Sequence, residues 1–130
     1  MRKQFLALAV VFPGLLLVPL AASAANSPAQ IINCAGTPPW CFSPNPIQIT
    51  ARSTVTWTNA GQVVHTVTDD PAKAINKPDA VLPSGAQPWD SGNVAGGATY
   101  SRTFDIPGQY TYFCIPHEAL GMVGHLTVSG

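Results

Sequence analysis

Charged residues are scarce in this sequence: only 9% of its 130 residues are Asp, Glu, Lys or Arg. No basic cluster of the kind that binds nucleic acid or lipid headgroups is present, so we expect neither partner. Glu118 is the only glutamate, and no paired carboxylates or Ser/His/Asp set indicates hydrolytic chemistry. Because little charge is available for ion-pair networks, we expect apolar burial and rigid turns to supply most of the stability.

Long apolar runs are also lacking, except at the N-terminus. Met1-Arg2-Lys3 is basic, Phe5 to Leu20 carries no charge, and Ala22-Ser23-Ala24 offers a small-x-small cleavage site. This pattern predicts a signal peptide over residues 1–24 and export to a periplasm, a lumen or the cell exterior. An uncleaved anchor is the alternative, but the run is short for a membrane span. The mature chain would then carry four basic and six acidic residues, a net charge of −2.

The sequence contains only three cysteines, an odd number. Cys34 and Cys41 are separated by Ala-Gly-Thr-Pro-Pro-Trp, a turn-forming segment that could bring them together. Since disulfides persist in exported proteins, we predict a Cys34–Cys41 disulfide that stabilises the fold by roughly 2–3 kcal/mol. Cys114 is then left unpaired, and an unpaired thiol needs an explanation of its own.

The mature sequence has no long segment in which apolar residues recur with the spacing of a helix. Instead, apolar and polar residues alternate over short stretches that are separated by turn residues. They predict a single all-β domain, a Greek-key β-sandwich over residues 44–130, preceded by a lead-in over residues 25–43. Asp70 to Pro88 has no clear period and is predicted to cross the surface, with a helical turn near residues 72–75. The predicted strands are Pro46 to Thr50, Ser53 to Asn59, Val63 to Thr68, Ala98 to Phe104, Gln109 to Cys114 and Met122 to Val128.

Four potential metal ligands stand out against this background. Cys114, His117 and Met122 lie within nine residues, and His65 lies far upstream in a strand-like segment. Two imidazoles, a thiolate and a thioether are the donor set of a blue-copper site, in which a weak axial Met completes a trigonal His₂Cys arrangement. Alternation places Tyr110, Tyr112 and Cys114 on the core face of one strand, whereas His125 faces solvent in the last strand and is not expected to be a ligand.

The motifs around these residues resemble the cupredoxins, in particular the plastocyanin, amicyanin and pseudoazurin group. The densest match is Tyr112-Phe-Cys-Ile-Pro-His-Glu-Ala-Leu-Gly-Met-Val-Gly124, which contains Cys-x₂-His-x₄-Met. Further matches are Val55-Thr-Trp-Thr-Asn59, His65-Thr-Val-Thr, and Phe104 with Pro107-Gly-Gln-Tyr110. The resemblance implies that His65, Cys114, His117 and Met122 bind one type 1 copper ion. Many members carry Asn where this chain has Thr66, so the tuning of the potential is open.

By this resemblance the protein is a small one-electron carrier, not an enzyme, that docks briefly near His117 with a redox donor and a redox acceptor. We expect an exposed apolar rim around His117 and a monomeric protein; the rim comprises Val64, Ile115, Pro116, Ala119 and Leu120. Asp69 and Asp70 could contribute to docking, but charged pairs of this kind are usually only solvated surface.

Other classes of protein fit less well. A module that stores or delivers copper could use the same four ligands without passing electrons. A structural zinc site would not use a Met ligand, and a core thiol beside two ordinary histidines would leave the spacing unexplained. Multicopper oxidases need more copper centres than three histidines can supply.

Overall fold

The computed structural model describes residues 14, 16–19 and 24–130, which contain two β-sheets packed as a sandwich. The first sheet has the strand order β2-β1-β4-β7, and the second has the order β3-β9-β8-β5-β6. The β1–β4 and β3–β9 pairs are parallel, and the other pairs are antiparallel. The prediction of an all-β sandwich is confirmed. The strands are β1 (Asn26–Asn33), β2 (Trp40–Ser43), β3 (Ile47–Thr50), β4 (Ser53–Asn59), β5 (Thr68–Asp69), β6 (Trp89–Asp90), β7 (Thr99–Phe104), β8 (Gly108–Phe113) and β9 (Val123–Ser129), with 3₁₀ helices at Lys77–Asp79 and Ile115–Leu120.

Strand β4 follows its sequence pattern directly. Val55 and Trp57 are fully buried on its inner face. On the other face, the Thr54 hydroxyl lies 2.7 Å from that of Thr103, and other hydroxyls pair similarly along β7. Alternation of polar and apolar residues therefore predicted both the strand and the face that it buries.

The core joins the two sheets through aromatic rings. The Trp57 Nε1–H donates to the Tyr112 hydroxyl at 3.3 Å, and both side chains are buried. Gly124 lies opposite Tyr112 in the β8–β9 register. A Cβ at residue 124 would lie 2.3 Å from the Tyr112 ring, so only glycine lets the ring lie flat against β9.

Residues 26–43, which we predicted as a lead-in, form β1 and β2 of the first sheet. Ala29 and Ile31 are buried, and β1 pairs in parallel with β4 along its length. The prediction failed because Pro28 argues against a strand and because the turn between Cys34 and Cys41 was interpreted as the loop of a disulfide, although it joins β1 to β2 as an antiparallel hairpin.

The predicted Cys34–Cys41 disulfide is not formed, and both residues are free cysteines. Cys41 pairs with Ile32, and the Cys34 N–H donates to the Pro39 carbonyl, so the two cysteines occupy diagonal positions. Diagonal neighbours lie roughly 7–8 Å apart, farther than the Cα spacing of most disulfides. The thiols are still close: burial, followed by a hydrogen bond and charge from Cys34, raises the pKa of Cys41 to about 11.

Only the end of the predicted strand Val63 to Thr68 is a strand. Residues 61–63 bend, and His65 makes an isolated bridge to Val94. The Asn59 side-chain amide donates to the carbonyls of Val63 and Val94 at 2.7 and 2.9 Å, so a side chain holds the two segments together beside this bridge. Asp69 is fully buried, so it is neither a docking charge nor solvated surface, whereas Asp70 is half-buried.

The predicted surface crossing of residues 70–88 contains a turn at residues 71–73 and the short 3₁₀ helix Lys77–Asp79, so the helical turn lies later than expected. The predicted signal peptide lies almost wholly outside the described residues. Within the described part of the chain, none of the helices has the length and apolarity needed to cross a bilayer.

Candidate metal centre

One short loop presents two of the candidate ligands. Cys114 follows β8, and the 3₁₀ helix Ile115–Leu120 then carries His117. Gly121 ends this helix in the left-handed conformation at φ 89°, and its N–H donates to the Glu118 carbonyl. The Cys114 N–H donates to the Met122 carbonyl at 3.1 Å, and the Met122 N–H donates to the His117 carbonyl at 3.2 Å. Backbone bonds therefore hold the loop in shape.

His65 reaches the same point from the segment between β4 and β5, far upstream in the chain. Its backbone exchanges two hydrogen bonds with Val94, with N···O distances of 2.7 and 3.2 Å. The His65 side chain is 1% exposed. A tertiary contact, and not the chain order, thus brings residue 65 to residues 114 and 117.

The three donor atoms form a small triangle. The Cys114 Sγ lies 3.3 Å from the His117 Nδ1 and 3.6 Å from the His65 Nδ1, and the two Nδ1 atoms are 3.1 Å apart. A point equidistant from the three atoms would lie roughly 2 Å from each, close to the length of a bond between a transition metal and imidazole nitrogen. A thiol and two imidazoles in this spacing fit a metal ion, and soft sulfur beside imidazole suits copper.

The surroundings of both imidazoles favour the neutral form that binds metal. Burial, and after it the charge of His117, lowers the pKa of His65 to about 4, and burial lowers the pKa of His117. Both rings are therefore neutral at neutral pH, as metal binding requires. Burial raises the pKa of the Cys114 thiol, so binding a metal there would release a proton.

Thr66 supports the site in two ways that the sequence did not reveal. Its backbone N–H points at the Cys114 Sγ at 3.4 Å. Its hydroxyl oxygen accepts a hydrogen bond from the Ile115 N–H at 2.8 Å and another from the Thr68 hydroxyl at 3.0 Å. Thr66 therefore ties the His65 segment to the ligand loop.

Glu118 is a second supporting residue that sequence reasoning missed. Its carboxylate is buried and accepts hydrogen bonds from the backbone N–H groups of Ile75 and Asn76, both at 3.0 Å. One feature of the sequence indicated a special role, which is that Glu118 is the only glutamate of the chain. It fastens the ligand loop to the surface crossing.

Met122 and His125 lie where alternation placed them. Met122 is 1% exposed and begins the return from the ligand loop into β9. His125 is exposed and lies 3.3 Å from the Thr111 hydroxyl, away from the triangle of donors.

Comparison with known proteins agrees with this geometry. Residues 32–129 match the family described as copper binding proteins, plastocyanin/azurin family. A plastocyanin from Scenedesmus fuscus is 36% identical over 91 residues, which cover 67% of this chain and 85% of that protein. Other relatives, described as chloroplastic plastocyanins, are longer, and the match covers 51–57% of their length.

Solved structures give the same result for the fold. A novel purple cupredoxin from Nitrosopumilus maritimus superposes with a TM-score of 0.61 at 27% identity, covering 79% of this chain and 99% of that one. A pseudoazurin from Methylobacterium extorquens AM1 superposes with a TM-score of 0.58 at 21% identity, covering 80% and 75%. The second likeness supports the fold alone.

A two-sheet sandwich with a buried cysteine and two converging histidines defines a cupredoxin. The chain belongs to the plastocyanin/azurin family of copper-binding proteins. His65, Cys114 and His117 are positioned as its potential copper site, so the predicted family and cofactor are confirmed.

Proposed function

We propose that this protein is a type 1 blue copper protein that carries single electrons between redox partners. The ligands would be His65, Cys114, His117 and, in the axial position, Met122. The convergence of one thiol and two neutral imidazoles within 3.1–3.6 Å of one another carries this proposal. When bound, copper alternates between Cu(I) and Cu(II) and so accepts and releases one electron.

The surroundings of these side chains suit a carrier. Cys114 and His65 are excluded from water, and hydrogen bonds from Thr66 and Ile115 join the segments that bear them. Ligands held in this way need move little when the charge at the centre changes, and little movement favours fast electron transfer. Burial of the thiolate favours Cu(I) and would raise the potential.

A partner would dock where the ligand loop reaches the surface. Exposed apolar side chains flank the half-buried His117 and the buried His65 in the chain, and they suit the small, short-lived interfaces of redox encounters. This rim comprises Val64, Ile115, Pro116, Ala119 and Leu120, of which Leu120 is 48% exposed. We propose that the electron donor and acceptor both dock on the rim.

An enzymatic role is not part of this proposal. Beyond His65 and His117 the sequence contains only His125, which faces solvent in β9. Too few histidines therefore remain for a second copper centre. We further propose that the chain is exported, as its N-terminal pattern predicts; N-terminal sequencing of the purified mature protein checks the cleavage near residue 24.

Absorption and EPR spectra of the copper(II) protein test the ligand assignment. The wild-type protein should be intensely blue through thiolate-to-copper charge transfer, and Cys114→Ser should lose that colour because no thiolate remains at the site. The double variant Cys34→Ser/Cys41→Ser is the matched control and should stay blue. A blue Cys114→Ser protein would show that the thiolate ligand has been assigned to the wrong residue.

Kinetics separates the carrier from a storage or delivery module. A carrier should exchange electrons with a redox partner in repeated cycles while keeping its copper. A delivery module should instead lose copper to an apo acceptor protein in the same time. Electron exchange and copper retention are measured together by stopped-flow absorption and metal analysis.

A further inference from the structure

The β1–β2 hairpin reaches the metal centre. Its loop closes through the hydrogen bond from the Cys34 N–H to the Pro39 carbonyl at 2.9 Å, and Trp40 begins the second strand. The Pro38 side chain lies beside the ligand loop, 3.9 Å from the position of a Cβ on Gly121. The tip of this hairpin therefore covers one side of the loop that carries His117.

Trp40 contacts both candidate histidine ligands. Its ring centroid lies 4.1 Å from that of His117, with a tilt of 34° between the ring planes. It meets His65 more distantly, with a centroid separation of 5.8 Å and an interplanar angle of 65°. The indole thus stacks on one imidazole and meets the other at its edge.

His117 needs such a contact more than His65 does. His65 is fully buried, whereas His117 is half-buried on a short surface loop. A metal-binding histidine is usually oriented by a hydrogen bond at its second ring nitrogen. Throughout the described part of the chain, the hydrogen bonds of the His117 ring involve only Nδ1, toward Cys114 and His65, so no protein group orients the ring through Nε2.

We propose that Trp40 is the positioning residue for the His117 imidazole. By stacking on the ring it sets the ring plane, so that Nδ1 faces the Cys114 Sγ, and it closes the solvent side of the centre. This inference rests on the proposed copper site, but the contact itself does not depend on which metal is bound.

A cavity variant with exogenous imidazole isolates the stacking contact. In His117→Gly, added imidazole should fill the open position and restore the charge-transfer band. Trp40→Leu in that background should weaken imidazole binding about two- to tenfold, which is the effect expected for one aromatic pair. Trp40→Phe keeps a ring and should restore most of the affinity. Ile106→Ala, which removes an exposed apolar side chain outside the rim and the ligand loop, is the matched control and should bind imidazole as His117→Gly alone does.

If His117→Gly binds imidazole equally well with Trp, Phe or Leu at residue 40, the proposal is overturned. A second measurement needs no copper. In the metal-free protein with His117 intact, Trp40→Leu should move the NMR signals of the His117 ring protons downfield, because the indole ring current is lost, while the signals of His125 stay in place. Unmoved His117 signals would also overturn the proposal. Loss of the blue colour in every copper-loaded form would instead contradict the proposed function.

Discussion

At the scale of single residues, Thr66 explains how a departure from the usual family pattern still gives a connected site. The hydroxyl of Thr66 accepts from the Ile115 N–H, and its own N–H faces the Cys114 sulfur. Thr66 therefore joins the His65 segment to the ligand loop. Donors near the sulfur, such as the Thr66 N–H, affect a copper potential.

Met122 offers a prediction at this scale. Met122→Gln should lower the reduction potential, because an amide oxygen is a harder donor than a thioether and stabilises Cu(II). Met122→Leu should raise it, because leucine offers no donor and keeps the site apolar. Voltammetry of both variants measures the two directions. Potentials that both match the wild-type value would show that Met122 is not the axial ligand.

The strands that sequence patterns predict well are those in which polar and apolar residues alternate, whether the sheet neighbour is near in the chain, as β9 is to β8, or distant, as β7 is from β4. Alternation predicted β4 with its observed bounds, and β7, β8 and β9 to within about a residue. β1 and β2 escaped prediction because Pro28 argued against a strand and because the turn that joins them was interpreted as the loop of a disulfide. The segment around His65 was predicted as a strand, but it pairs only through the isolated bridge between His65 and Val94, and the Asn59 side-chain amide bonds to the Val63 carbonyl beside it.

The ligand loop carries the prediction at the scale of elements. Glu118→Ala should lower the free energy of unfolding by about 2–3 kcal/mol, because it leaves the Ile75 and Asn76 N–H groups without their charged acceptor. Urea denaturation of the metal-free protein measures this loss. Glu118→Gln keeps one acceptor oxygen and should lose less.

Asp105→Ala is the control for this prediction, since Asp105 is exposed and should change stability by no more than about 0.5 kcal/mol. A Glu118→Ala variant as stable as this control would mean that the carboxylate does not hold the loop to the surface crossing.

At the scale of the whole molecule, the pH dependence of stability follows from one buried carboxyl group. Burial raises the pKa of Asp69 to about 8, although the charge of Arg102 opposes this shift. Both Asp69 oxygens lack a hydrogen-bond partner among the described residues, and Trp89 is its partner in the β5–β6 register. The carboxyl group is therefore protonated in the folded protein at neutral pH.

The sign of the effect follows from proton binding. Above about pH 4 the unfolded chain has lost this proton while the folded protein keeps it, so stability falls as pH rises toward 8, by up to about 1.4 kcal/mol per unit. The pKa of His65 is lowered, so below about pH 6.5 the unfolded chain binds a proton at His65 that the folded protein does not. His65 therefore makes stability rise with pH in that range, opposite to the effect of Asp69. The effect of Asp69 can therefore be measured without that of His65 between pH 6.5 and 8.

In that interval Asp69→Asn should flatten the dependence of the unfolding free energy on pH and should be more stable than wild type at pH 8. Denaturation at several pH values measures this, with the exposed Asp105→Asn as the control. A wild-type slope retained in Asp69→Asn would assign the pH dependence to another group.

The amino-acid sequence alone determined the class of fold, the sheet faces of the late strands and the identity of the candidate ligands. These depend on local alternation and on the chemistry of a few side chains: Cys114, His117 and Met122 are close in the chain, and their donor types point to copper. Tertiary structure alone decided which side chains surround them. The contacts of Thr66, Glu118 and Trp40 join segments tens of residues apart in the chain, and the burial of Asp69 comes from packing between sheets. Local patterns cannot report such contacts, because packing brings these segments together only once the sandwich has closed.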